Sequence, residues 1–353
     1  MWIIRLQPNA YPNHLDACLS PSSCLGLLAH YPTLRRTDSW LIWHLQNHLS
    51  SPSSSFFWSQ HLHLLWDVLR VGLLYDERYH DLRRNHRASG IRFRRPFAWT
   101  DESIYSTSSY TSNTVTITAG GSAATKGSDD ASGTFRVHAN SFKMYNVNVV
   151  NSYGVGSQAL ALSAYGTEQG FYGCSFKGYQ DTVLTDTGTQ FFGYSYIEGA
   201  VDFIFGQTAN TYFYASVIAS KAAGTITASG PPSSTEGIYV FDSCYIEAAS
   251  DASSALTGDV YLGRPWTEYA RAVFKYCSLS AIINSAGWEE WSTATPNTAD
   301  VLFAEYDNNG AGATTSGRAS FSKQLTSATV ASYSIGNILG SGYASWVDAD
   351  YFD

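Results

Sequence analysis

The sequence predicts an all-β chain wound as a parallel β-solenoid. Three observations carry the prediction. A short apolar pattern recurs down the chain, its copies stand about one coil apart, and the stretches between them are rich in Gly, Ser, Thr and Tyr. The pattern is a large apolar residue, two others, a small or aromatic residue, one other, then an apolar residue.

It reads FKMYNV from Phe142, FYGCSF from Phe171 and FFGYSY from Phe191, then YFYASV from Tyr212, FDSCYI from Phe241 and FKYCSL from Phe274. Successive copies are 29, 20, 21, 29 and 33 residues apart. Period-2 strands at that spacing, joined by loops of variable length, are the mark of stacked coils. A β-sandwich also alternates, but it has no reason to repeat one motif in one register. Inward Phe, Tyr and Cys would then form ladders along the stack. Cys174, Cys244 and Cys277 fall at the same place in their coils and read as small buried hydrophobes, not nucleophiles.

Composition narrows the function classes. A net charge of −8 argues against a nucleic-acid partner. No stretch of 18 apolar residues is present, so no helix is expected to cross a membrane. The start, MWIIRLQPNAYPNHLD, lacks the sustained apolar core of a signal peptide. Five cysteines without CxxC or zinc spacing give no disulfide framework and no metal motif.

The chain changes character near residue 100. Residues 1–100 carry eight of the nine histidines, six of the ten tryptophans and eleven arginines against six acids. Residues 101–353 carry ten basic residues against 23 acids. The expected division is therefore an atypical segment, 1–100, and a catalytic solenoid domain, 101–353. The first segment shows little sustained period of 3.6 or 2. That favours disordered or out-of-frame sequence over a basic N-terminal domain; a transcript read across codons 90–110 decides between them. His61 and His63 lack a third ligand at metal-binding spacing.

The solenoid register singles out three ionisable side chains. Asp181 precedes Phe191 by ten residues, Asp202 precedes Tyr212 by ten and Arg264 precedes Phe274 by ten. Equivalent positions project from one face. Asp181 and Asp202, in adjacent coils, should have backbones about 5 Å apart. Arg264, two coils on, must span roughly 10 Å of stack. Two close carboxylates do not titrate alike, and a guanidinium beside one keeps that one ionised. The outcome is one acid and one base or nucleophile. Gln158 and Gln180 add amide donors that can hold an oxyanion, which suggests acyl transfer more than glycosidic cleavage. Trp266 could stack on a sugar ring.

The blocks QALALSAYGTEQGFYGCSFKGYQDTVL, YIEGAVDFIFGQ and YLGRPW resemble the pectinesterases (pectin methylesterases, carbohydrate esterase family 8) of the fungal branch. The closing GWEEWSTATPNTADVLFAEYDNNGAGA and ASWVDADYFD resemble that family's end, so the likeness spans roughly residues 105–353. It implies a right-handed single-stranded parallel β-helix, a pectin lyase-like solenoid, here with atypical or missing first coils. A G-x-Y-x-E block expected of those coils has at best a broken echo in LLYDERYHD, and a stack without its cap would tend to aggregate.

The resemblance also implies hydrolysis of the methyl esters of galacturonate in pectin. Asp202 would be the nucleophile, Asp181 the acid and then base, Gln158 and Gln180 the oxyanion donors, and Arg264 the partner of Asp202. Trp266, Val201 and Phe205 would line the substrate cleft. No metal or organic cofactor is implied. The expected partner is methyl-esterified pectin (homogalacturonan), acted on by a monomer, and the family is secreted. Rival readings are another pectin-degrading β-helix enzyme, such as a polygalacturonase or pectate lyase, and a non-catalytic carbohydrate-binding solenoid.

Overall fold

The computed structural model describes residues 2–4 and 108–352. The reading of residues 1–100 therefore lies outside the described residues, apart from β1 (Trp2–Ile4). That strand pairs in parallel with the edge of the stack, Trp2 opposite Phe142. All described residues belong to one compact unit.

The rest of the chain climbs coil by coil. It begins with β2 (Val115–Ala119), β3 (Phe135–Val137), β4 (Phe142–Tyr145) and β5 (Val147–Asn151). The next two coils are β6 (Leu162–Tyr172) with β7 (Ser175–Lys177), and β8 (Val183–Gly193) with β9 (Tyr196–Gly199). Then come β10 (Ile204–Gly206), β11 (Asn210–Tyr214) and β12 (Val217–Ser220), followed by β13 (Gly224–Ser229), β14 (Ile238–Asp242) and β15 (Tyr245–Ala248). The stack closes with β16 (Val260–Pro265), β17 (Arg271–Lys275), β18 (Ser278–Leu279), β19 (Leu302–Tyr306) and β20 (Ser322–Gln324).

Every strand pairing is parallel, and each coil visits the same faces in the same order. One face is the seven-strand sheet from β2 to β18. The other two are joined through the long strands β6 and β8, which bend from one to the other, into a 13-strand sheet. The expected right-handed parallel β-helix is the observed fold.

A corner residue repeats in each coil. Asn146, Gly173, Tyr194, Ala215, Ser243, Tyr276 and Asp307 all have positive φ, between 45° and 58°. Each stands where the chain leaves the 13-strand sheet. A left-handed residue turns the chain sharply without breaking the ladder to the next coil. Directly after these corners lie Cys174, Ser195, Ser216, Cys244 and Cys277, all buried. The Cys174 amide donates to Ser195 Oγ and the Ser195 amide to Ser216 Oγ, both over 3.1 Å. The cysteines are the packed small residues the repeat predicts, and burial pushes the Cys174 thiol up to about 12.

The core is an aromatic ladder. Phe171, Phe192, Phe213, Phe241 and Phe274 stack face to face, with centroids 4.7, 4.9, 4.5 and 4.2 Å apart. Here the structure corrects the repeat by one residue. Phe191 and Tyr212 open their sequence copies, but Phe192 and Phe213 occupy the ladder. In a doublet of aromatics one ring points in and its neighbour out. Phe191 and Tyr212 pack outside, with Ile335, Ile338, Leu339 and Trp346 of the C-terminal tail.

Ala215 carries the left-handed penalty with no polar side chain to offset it. Ala215→Gly should raise stability by about 1 kcal/mol in urea unfolding. A variant no more stable than the parent would show that the corner carries no strain.

Candidate functional site

The two aspartates sit at one register position. Val183 pairs with Ile204, and each aspartate lies two residues before its strand partner. The turns that carry them are linked: Gln180 bridges Val201, and the Asp181 amide donates to the Val201 carbonyl over 3.0 Å. Both aspartates are left-handed, Asp181 at φ 62° and Asp202 at φ 50°. They are also nearly enclosed, at 7% and 6% exposure. Strained, buried polar residues in one column are what a functional site looks like before its chemistry is considered.

Arg264 meets Asp202 alone. Its Nε donates to Asp202 Oδ1 over 2.9 Å and its Nη2 to Oδ2 over 2.7 Å, a two-pronged ion pair. Arg264 is not, however, at the aspartates' register position. It pairs with Ala228, which pairs with Phe205. Counting ten residues back from an aromatic works in the first two coils and fails here. The bend between strands is longer in Arg264's coil, and Phe274 aligns with Phe213, not with Tyr212. The long side chain makes up the difference by reaching back across the stack.

The pair is electrostatically unequal. Burial pushes Asp181 up to about 8, the charge of Asp202 adds to the rise, Asp129 adds further, and Arg264 opposes it. No cation or hydroxyl is bonded to Asp181 among the described residues. Asp129 reaches this neighbourhood on the single helical turn Asp129–Ser132. Asn151 ties that turn to the coil below, donating to the carbonyls of Ser132 and Leu160 over 3.2 and 2.9 Å.

Gln158 and Gln180 lie on adjacent coils, where the Ala159 amide donates to the Gln180 carbonyl over 3.1 Å. Both are half-buried. Gln158 Oε1 accepts from Ser157 Oγ over 3.3 Å, which orients its NH2 as the free donor end. Phe205 and Trp266 come together, ring centroids 6.5 Å apart, in an apolar patch with Leu160, Leu184 and Ala228. Trp266 lies so closely over Gly230 that a Cβ there would fall 2.4 Å from its ring. Val201 packs over Gly224 instead of joining that patch.

A family model described as Pectinesterase matches residues 109–342. This chain belongs to the pectinesterase family. It is 49% identical over 251 residues to a pectinesterase of Aspergillus aculeatus, covering 70% of this chain and 74% of that one. The pectin methylesterase of Aspergillus niger, solved in deglycosylated form, is 43% identical with a TM-score of 0.64, over 69% of this chain and 78% of its own. A carrot pectin methylesterase is 31% identical with a TM-score of 0.61, over 68% and 77% of the two chains.

Three site residues escape sequence reasoning. Trp291 lies under the Arg264 guanidinium at 4.5 Å from its ring centroid, a cation–π contact that flattens the arginine against one wall. Glu289 is half-buried and raised, first by burial, and feels both Arg264 and Asp202. Thr225 touches Asp202 directly. GWEEW contains the first two but nothing in it ties them to Arg264, and nothing local flags Thr225. Among the described residues no cluster of three His, Cys, Asp or Glu could hold a metal ion.

The Asp181 shift sets a stability signature. The folded chain keeps this proton up to about pH 8, while an unfolded chain releases it near 3.8. Folding takes up a proton in that window, so stability falls as pH rises through it. Asp181→Asn removes the effect and should be more stable than the parent by about 5 kcal/mol at pH 8, with the gap closing at pH 4. Equal gaps at both pH values in urea unfolding would contradict the assigned shift.

Proposed function

We propose that this chain hydrolyses the methyl esters of galacturonate units in pectin, giving de-esterified pectin and methanol, with Asp202 as nucleophile. The observation that carries the reading is the unequal pair: two aspartates on neighbouring rungs, one locked in an ion pair with Arg264, the other raised to about 8 and free of any cation.

The roles follow from that inequality. Asp202 attacks the ester carbonyl carbon, and the carbonyl oxygen becomes an oxyanion held by the amides of Gln158 and Gln180. The C–OCH3 bond breaks as Asp181 gives its proton to the departing oxygen, releasing methanol and leaving an acyl-enzyme anhydride on Asp202. Asp181, now a carboxylate, takes a proton from water. The hydroxide attacks the galacturonyl carbon, the anhydride breaks, and Asp202 returns to its ion pair. Arg264 keeps Asp202 ionised and aligned throughout. Trp266 and Phe205 line the cleft for the polysaccharide.

The mechanism needs no metal and no organic cofactor. A monomer acting outside the cell on methyl-esterified homogalacturonan fits the reading. No described helix is long and apolar enough to cross a membrane. Residues 101–353 serve as the catalytic domain, with β1 (Trp2–Ile4) paired at its edge.

Methanol release from highly methylated pectin is the test, with Asp202→Ala beside the full chain. The parent should release methanol and the variant should lose at least about a thousandfold in rate. Binding of pectin without methanol from a folded parent would favour the non-catalytic solenoid, and a viscosity drop without methanol would favour a chain-cleaving enzyme. The rate of the parent should also fall above about pH 8, as Asp181 loses the proton it donates. A profile flat through pH 9 would remove Asp181 from the acid role.

A further inference from the structure

The register that aligns the aspartates continues into the next coil. Ile204 pairs with Thr227, so the position opposite Asp202 is Thr225 on β13. The column therefore reads Asp181, Asp202, Thr225. Thr225 is 2% exposed, and its hydroxyl has no solvent to satisfy it. Both of its hydrogen bonds go to the same residue. The Asp202 backbone amide donates to Thr225 Oγ1 over 3.2 Å, and Thr225 Oγ1 donates in turn to Asp202 Oδ1.

The left-handed backbone of Asp202 gives these bonds their meaning. With φ at 50°, its N–H turns along the stack toward the following coil instead of joining an ordinary strand rung. Thr225 receives that N–H and closes a ring through the carboxylate. A β-branched side chain has few χ1 choices, so the hydroxyl is held where the ring needs it. Asp202 Oδ1 then accepts twice, from Thr225 and from Arg264 Nε, whereas Oδ2 accepts only from Arg264 Nη2.

We propose that Thr225 is a positioning residue for the esterase reaction, clamping the backbone and carboxylate of Asp202 so that Oδ2 is the oxygen presented to the ester. This rests on Asp202 being the nucleophile. Thr225 touches no substrate in this scheme; it acts by holding one carboxylate rotamer against the pull of a single arginine. An arginine alone can follow a rotating carboxylate. A second, rigid donor from another coil prevents the rotation.

The test compares Thr225→Val, nearly isosteric and without the hydroxyl, with Thr225→Ser, which keeps it. Thr225→Val should lower kcat for methanol release at least tenfold with KM within about twofold. The other charged groups facing Asp202 are Asp181 from the preceding coil, Arg264 from β16 and Glu289 beyond it, and none changes in these variants. Thr225→Ser should recover kcat to within about threefold.

A folded Thr225→Val with parental kcat overturns the proposal. So does a serine variant as impaired as the valine one, since that would trace the defect to packing. If the valine variant does not fold, Thr225→Ala is held to the same criteria. Asp202→Asn separates the two levels: an active Asp202→Asn removes the nucleophile reading itself, while an inactive one beside an unaffected Thr225→Val removes only the role of Thr225.

Discussion

Parallel, in-register stacking of one coil on the next is the constraint from which the rest of this molecule follows. It places equivalent residues of successive coils about 4.8 Å apart whatever their chemistry. For phenylalanine that spacing is favourable, and five rings in a row make the core. For aspartate it is unfavourable, and the column of Asp181 and Asp202 exists only because the ladder leaves them no way to separate. The fold supplies the burial, and the repulsion added to it, that raise Asp181.

Charge pairing elsewhere in the stack makes the contrast plain. Five carboxylates are buried among the described residues: Asp181, Glu198, Asp202, Asp242 and Glu305. Glu198 is held by Lys177, Lys221 and the Tyr196 hydroxyl. Asp242 is held by Lys275 and Tyr212, and Glu305 by Arg318. Asp202 has Arg264. Those four are satisfied as structural ion pairs must be. Asp181 is the exception among them, and it sits beside the Asp202–Arg264 pair.

Much of this was legible in the sequence, for a reason that also limits it. A repeat of apolar motif reports coils because each coil must bury the same face, and Asp181 and Asp202 were found by counting because their coils run the same distance to the ladder. The count misplaced Arg264 because the bend in its coil is longer, and it took Phe191 and Tyr212 for ladder residues because an aromatic doublet does not say which ring points in. Thr225 was invisible. It lies on Asp202's rung, but 23 residues on, across a coil of another length. Hydrogen bonds between coils obey register, and register is written only where coil lengths agree. Gln158, Gln180 and Trp266 were found as residue types near the acids, while Trp291 and Glu289 needed the coil beyond Arg264 to be placed first.

The site is also assembled from pieces made at different times. Gln158, Asp181, Asp202, Thr225 and Arg264 come from successive coils, and none of those coils holds a working set. A chain emerging from the ribosome presents both acids well before the arginine that neutralises one of them. The charge balance of Asp202 is therefore written across coils 62 residues apart, and it is complete only in a stack that includes β16.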